Sequence, residues 1–415
     1  MAPLSTMSQK NVQDTRQEHD VAMANAPALS ASPALPEPPD ISGLHLELIR
    51  DPGDLIALTP EWDALSDTLP FQVPFTTASW NILWWQHLRA TRTLIRDCLH
   101  VFVLRDQQDK LIAIAPMIIS IRPGIAACGV RVLQFFGADP NITEIRGMIC
   151  HPAHTDAAIT LLQEYLQEHK QRWDWVEWQG LSPSQAEKLS APGTPQPKAR
   201  VMCYLPLPGQ WEELKSSLSR NMKEAIRKCF NSLKRDGHQH AFTVVEQTAE
   251  IAPALMAFLR LHKLRAKNPE GVLHANVFRD RKSRQFLSAY VGASSAQGRL
   301  RLFQLSVNGE IVASRIGFLS KRQLYLYYSG YDAAWGKYSV MTTLVIHIMQ
   351  WAIANDVDCV NLSTGRDPSK LRWQPLEMIQ HNAIQISPRL RASVLFKAYV
   401  HLRSYPFMHR LSRKK

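Results

Sequence analysis

The sequence predicts an α/β protein of the α+β type, with two mixed-sheet domains flanked by helices, and three observations carry that expectation. Leu300 to Val307, Ile311 to Leu319 and Gln323 to Tyr331 read as three successive strands. The first two are joined by Asn308-Gly309, a dipeptide suited to the positive φ angles of a two-residue hairpin turn. The run Val340 to Asn355 is apolar around most of its circumference, so it reads as a helix buried against the sheet, and Val357 to Ser363 follows as a buried strand. A crossover of this kind places the last strand parallel to Gln323 to Tyr331. Residues 99 to 178 offer the same order of hairpin strands, helix and strand as residues 300 to 363. The halves are candidate structural repeats, although identity between them is not evident.

The elements follow in order. A strand over Leu44 to Ile49 precedes helices over Ile56 to Asp67 and Ser79 to Ala90. Strands over Leu99 to Arg105 and Leu111 to Ile121 are joined by the turn Asp106-Gln-Gln-Asp109, and a third, Val130 to Phe136, ends at Gly137-Ala-Asp-Pro140. A helix over Thr155 to Lys170 leads into Trp173-Asp-Trp-Val-Glu-Trp178. Residues 184 to 201 read as loop, and Met202 to Leu207 as a short apolar piece. A long helical pattern begins near Trp211, with Leu214, Leu218, Met222, Ile226 and Leu233 on one face and Arg220, Lys223, Arg227 and Lys234 on another. Gly237 is its expected C-cap. Helices over Ile251 to Ala266 and Arg279 to Ser294 flank the loop Asn268-Pro-Glu-Gly271.

A chain of 415 residues is too long for one ordinary core. The expected organisation is a disordered leader over 1–43, rich in Ala, Ser and Pro, then an N-terminal domain over 44–205, a C-terminal domain over 206–390, and a basic helix or tail over 391–415. The longest apolar run, Leu111 to Ile119, contains Pro116 and falls short of the ~20 residues that cross a bilayer. With no apolar segment behind the N-terminal charges, a cytoplasmic location is expected, and the basic tail is the place for peripheral contact with the inner face of a membrane.

Six scattered cysteines lack metal spacing and read as reduced, mostly packed thiols. The pairs His151/His154 and His238/His240 read as loop or surface histidines, so no metal is expected. The formal charge of +12 is concentrated between Lys215 and Arg235 and in an acid-free tail running from Arg389 to Lys415. The first patch reads as a solvated helix face or as an RNA contact. The tail reads as a packed last helix over 389–404, with mobile ends at Arg413 to Lys415.

Two loops offer anion chemistry. Ala334-Trp-Gly-Lys-Tyr-Ser-Val-Met341 lies between a strand and the start of a long helix, where free backbone N–H groups and the helix dipole favour a phosphate. Gly336 admits a close ligand and Lys337 adds charge. Ser339 either bonds a phosphate oxygen or simply caps its own helix. Gly365-Arg-Asp-Pro-Ser-Lys-Leu-Arg-Trp373 carries Arg366, Lys370 and Arg372 beyond a buried strand, where ligands gather in α/β sheets; it also reads as a solvated basic loop. His262-Lys-Leu-Arg265 adds a histidine that is either a proton acceptor or a surface residue. No Walker loop, Gly-x-Gly-x-x-Gly or Ser/His/Asp order competes with these.

Leu133-Gln-Phe-Phe-Gly137, the basic segment Ser219 to Arg227, His262-Lys-Leu-Arg265, Tyr328-Ser-Gly-Tyr-Asp332, Tyr338-Ser339, the long helix, and Gly365 with Lys370 together resemble the CelD-like, cellulose-biosynthesis-associated acetyltransferases of the GNAT superfamily. These are related to the FemAB-like aminoacyltransferases. The resemblance covers about residues 44 to 390 and implies a tandem GNAT-like fold that uses acyl-CoA, such as acetyl-CoA, as cosubstrate. It implies cofactor binding at Gly336, Lys337, Tyr338, Ser339, Val340 and Met341, and substrate binding at His262, Arg265, Lys370 and Arg372. The tyrosine that often serves as general acid in GNAT enzymes has no counterpart after Ser363, and Tyr331 and Asp332 are the candidates for proton handling. Val340-Met341 stands where relatives tend to carry Pro-Gly.

The implied activity is acyl-CoA-dependent N- or O-acyl transfer from a small-molecule donor to an amine- or hydroxyl-bearing acceptor, a cell-envelope or exopolysaccharide precursor. The alternatives are a FemAB-like aminoacyl-tRNA-dependent transferase, the only reading in which nucleic acid is a partner, and a non-catalytic GNAT-fold subunit of a polysaccharide assembly.

Overall fold

The computed structural model describes residues 41–123, 129–139, 141–192, 194, 197–268 and 274–404. The expected leader, apart from 41–43, lies outside the described residues, as do Cys128, Pro140, the loop from Pro269 to Gly271, and the tail beyond residue 404.

The first half contains β1 (His45–Ile49), α1 (Pro52–Ala57), α2 (Thr59–Thr68), α3 (Ala78–Leu88), β2 (Arg96–Leu99), β3 (Val101–Arg105), β4 (Leu111–Ala115), β5 (Met117–Arg122), β6 (Val130–Phe135), β7 (Ile149–Cys150), α4 (Thr155–Glu168), β8 (Trp175–Leu181), α5 (Pro183–Leu189) and β9 (Arg200–Pro206). The second contains α6 (Trp211–Ser217), α7 (Arg220–Arg235), β10 (His240–Val245), α8 (Thr248–Lys267), α9 (Arg281–Ala296), β11 (Leu300–Val307), β12 (Glu310–Ser320), β13 (Gln323–Tyr331), α10 (Val340–Ala354), β14 (Cys359–Thr364), α11 (Pro368–Leu371), β15 (Leu376–Ile386) and α12 (Leu390–Ser404).

The architecture is mixed α/β. Strands β1-β3-β4-β7 form a small sheet, and an eleven-stranded sheet runs β10-β11-β12-β13-β14-β9-β15-β8-β6-β5-β2. The expected parallel crossover is present as β13 beside β14, and the first half repeats it with β6 beside β8. The two halves also exchange strands. β9 of the first half lies between β14 and β15 of the second, and β15 separates β9 from β8.

Several segments differ from the pattern read in the sequence. The strands over 99–105 and 111–121 each bend from one sheet into the other, at His100 and at Pro116, where proline has no N–H to give a ladder. The helical pattern from Trp211 breaks because Leu218 is extended and the Ser219 hydroxyl accepts the amide of Met222, capping a new helix. Gly237 (φ 73°) ends α7 as expected: its amide bonds the Lys234 carbonyl and that of His238 the Leu233 carbonyl. The Asn308-Gly309 turn has φ of 52° and 84°. α12 packs as a last helix, with Ala392, Leu395 and Phe396 buried and Phe396 edge-on to Trp175. Among the described residues no helix is long and apolar enough to cross a membrane.

Candidate active site

The parallel pairing of β13 with β14 is brief. Gln323, Leu324 and Tyr325 face Cys359, Val360 and Asn361, and beyond these the strands pair no further, although β13 runs on to Tyr331 and β14 to Thr364. A cavity of about 500 Å³ lies among the ends of β13 and β14, the start of α10, the end of α8 and the α11 segment.

A bulge decides which side chains of β13 reach it. Arg315 of β12 pairs with Ser329, but Gly317 pairs with Leu326, so Tyr327 and Tyr328 together face Ile316. The extra residue reverses the alternation. Leu324 and Leu326 before the bulge share one core with Tyr331 after it, whereas Tyr325 and Tyr327 belong to the opposite core. Ser329 and Tyr331 are thereby delivered to the cavity.

The start of α10 is unusual. Ser339 sits in the left-handed region (φ 55°, ψ 40°), and its side chain makes no cap hydrogen bond. The helix is therefore not capped by its own serine. As first-turn positions, Val340 and Met341 have amides without intrahelical acceptors, and no acid lies in that turn. Gly336, Ser339, Val340 and Met341 all line the cavity.

Four cations surround the same space. Arg265 donates to the Ser329 hydroxyl at 2.6 Å and also meets His274. Lys370, whose side chain is 14 % exposed, bonds the Thr364 carbonyl and lies 3.3 Å from Asp367. Arg372 donates to the Thr342 hydroxyl at 2.9 Å, and Arg315 to the Leu326 carbonyl at 3.2 Å. Burial pushes all four below their ordinary pKa values, Arg315 to about 10, and the Nε atoms of Arg265 and Arg315 are buried without a hydrogen-bond partner among the described residues. Clustered, desolvated cations with unused donors suit an incoming polyanion.

Behind these cations stands Glu144, from the loop after β6 in the first half. Its carboxylate accepts the Tyr325 hydroxyl at 2.5 Å and the Ser363 hydroxyl at 2.8 Å. Burial raises its pKa, while Tyr325, Ser363, Lys370 and Arg315 oppose the rise. Ser363 has a φ of 71°, a strained value for a residue with a Cβ.

Of the residues proposed from sequence, Tyr331, Gly336, Ser339, Val340, Met341, Arg265, Lys370 and Arg372 meet around one cavity. Lys337, Tyr338, Asp332 and His262 are placed elsewhere. Lys337 lies over the Tyr338 ring, and Tyr338 is buried, its hydroxyl 2.9 Å from His238 Nε2 and 3.0 Å from Asp236. Asp332 accepts the amide of Ala334. His262, which one reading placed on the surface, is only 3 % exposed, with Nδ1 3.1 Å from the Ser329 carbonyl. α8 can approach β13 this closely because position 330 is glycine: a Cβ there would lie 2.2 Å from the His262 nitrogen. The sequence reading did not single out Arg315 or Glu144. An arginine flanked by apolar strand residues was the available signal for the first; the loop of the second gave none. Among the described residues no cluster of His, Cys, Asp or Glu is arranged to hold a metal ion.

Residues 220–371 match the family described as acetyltransferase (GNAT) domain. No curated protein matches the chain by sequence. Among solved structures, FemX superposes with a TM-score of 0.52 at 10 % identity, covering 79 % of this chain and 96 % of its own. L-PGS from Bacillus licheniformis (TM-score 0.44, 12 % identity, 84 % and 95 % covered) and a tandem GNAT protein from the clavulanic acid biosynthesis pathway (0.41, 9 %, 83 % and 99 %) are more distant in shape. With its repeated crossover, this chain has a tandem GNAT-like α/β fold, within which residues 220–371 are the part similar to acetyltransferase (GNAT) domains.

Proposed function

We propose that the protein is an acyl-CoA-dependent N- or O-acyltransferase of CelD-like type, acting on a cell-envelope or exopolysaccharide precursor. The observation that carries this reading is the cavity where the amides at the start of α10 and four half-buried cations converge. Arg265, Lys370 and Arg372 would hold the phosphate charge of the donor together with the amides of Val340 and Met341. The acceptor nitrogen or oxygen bonds the acyl carbon, the carbon–sulfur bond breaks, the Tyr331 hydroxyl supplies a proton to the departing thiolate, and the proton that the acceptor sheds returns to the tyrosinate so formed. Asp332, engaged in capping, is given no part in this step.

Calorimetry with acetyl-CoA, followed by transfer of a labelled acetyl group to amino-sugar acceptors, tests the reading. Saturable binding that weakens at least tenfold on substituting Lys370 with alanine supports it. Absence of both binding and transfer refutes it.

One observation favours the aminoacyl-tRNA alternative: the outward face of α7, where the Arg220 side chain is 90 % exposed. RNA held there would dissociate steeply with added salt. The same calorimetric titration with charged tRNA in place of acetyl-CoA separates the two donors.

A further inference from the structure

The first half has its own cavity, of about 470 Å³, in the position that corresponds to the candidate active site. β6 pairs with β8 through three residues only, Val132 to Gln134 against Trp175 to Glu177, as briefly as β13 pairs with β14. The start of α4 lines this cavity as the start of α10 lines the other.

The chemistry differs. Asp156 occupies the first turn of α4 and accepts Gln185 Nε2 at 2.6 Å, so this helix end already faces an acid and is a poor phosphate site. Apolar side chains dominate the walls, among them Phe71, Phe135, Met148, Ile159 and Trp178. Two polar atoms stand out. Arg146 Nε and Gln179 Oε1 are buried with no hydrogen-bond partner among the described residues, and both residues line the cavity. Glycines hold them side by side: a Cβ on Gly147 would lie 3.0 Å from the Gln179 carbonyl, and one on Gly180 (φ 73°) would lie 2.9 Å from that of Arg146. One orphan is a donor and the other an acceptor. Leaving both buried and unused is unfavourable, and a ligand bonding to both would recover that loss.

We infer that this first-half cavity is a second ligand site, distinct from the donor cavity, for an uncharged, largely apolar small molecule whose amide or hydroxyl head bonds Arg146 Nε and Gln179 Oε1. The Arg146 guanidinium would attract a carboxylate, but it already lies in the field of Asp139 and Glu177, and a carboxylate head offers only acceptors, so it sets a second oxygen against Gln179 Oε1. A polyphosphate meets Asp156.

N-phenyl-1-naphthylamine, an uncharged apolar fluorophore with one N–H, is the probe, used with the full chain. Its fluorescence is expected to rise on binding. Decanamide is expected to displace it at roughly tenfold lower concentration than decanoate, a ratio worth one hydrogen bond to a buried partner. Acetyl-CoA is expected not to displace it. Ile159→Trp should block the probe by filling the cavity. Gln179→Leu, which leaves the volume almost intact, should still bind the probe but lose the preference for decanamide over decanoate. The inference is overturned if the probe does not bind, if acetyl-CoA displaces it, if decanoate competes as well as decanamide, or if a folded Ile159→Trp protein binds it like the parent. Because acetyl-CoA binding is read separately, failure here leaves the donor cavity untouched.

Discussion

Ser363 and Glu144, 219 residues apart in sequence, meet through a 2.8 Å hydrogen bond that ties the end of β14 to a loop of the other half. Tyr325 completes the arrangement, so one carboxylate joins two strands of the splayed pair to the first half. Ser363→Ala removes a donor from a buried carboxylate and is expected to cost about 1–3 kcal/mol, read by urea denaturation.

Glu144 also gives a pH signature. Burial holds its pKa above the ordinary 4.5, so the folded chain keeps a proton that the unfolded chain has released. The folded state binds more protons in that window, and stability contributed by this group falls as pH rises from about 4.5 through the raised pKa. Glu144→Gln does not titrate. The stability of the parent relative to Glu144→Gln should therefore decline across that range, and a difference independent of pH would contradict the assignment.

For donor binding, Lys370→Ala is expected to weaken acetyl-CoA affinity roughly 10- to 150-fold, the value of one charge-assisted hydrogen bond. Burial lowers the Lys370 pKa from its ordinary 10.5, with Asp367 and Glu144 opposing. Affinity should thus fall with rising pH before a free lysine would titrate, and that alkaline limb should vanish in Lys370→Ala, as calorimetry across pH will show.

Tyr331→Phe keeps the ring and removes the hydroxyl. The expected outcome is a fall in kcat of about 10²- to 10⁴-fold with the acetyl-CoA Kd unchanged, measured by steady-state kinetics and calorimetry.

Gly330→Ala places a Cβ 2.2 Å from backbone of α8, which a flexible side chain cannot absorb. Overpacking of this kind is expected to cost about 1–3 kcal/mol, lower the Tm, and disturb the Arg265–Ser329 contact that depends on the same approach.

What was legible in the sequence was local. Asn308-Gly309, the apolar helix before Val357 to Ser363, and the cations of the 365–373 loop each carry their signal within a few residues. The crossover and much of the cavity rim could be read from them. The bulge at Tyr327 and Tyr328 could not, because a one-residue shift leaves composition unchanged while moving Tyr331 to the other face. Glu144 reaches Tyr325 across 181 residues, a pairing that no periodicity encodes. β15 was missed because its exposed and half-buried residues do not alternate cleanly: Leu376 and Ile379 remain exposed.

The placement of β9 and β15 has a physical consequence for the chain as a material object. Each half borrows its last ladder partner from the other, so a cut between β9 and α6 would sever one peptide bond but leave the hydrogen bonds of Arg200–Pro206 to β14 and β15 in place. A nicked protein should therefore stay one particle on a sizing column. Either half made alone would expose an open strand edge and seek a second copy to close it.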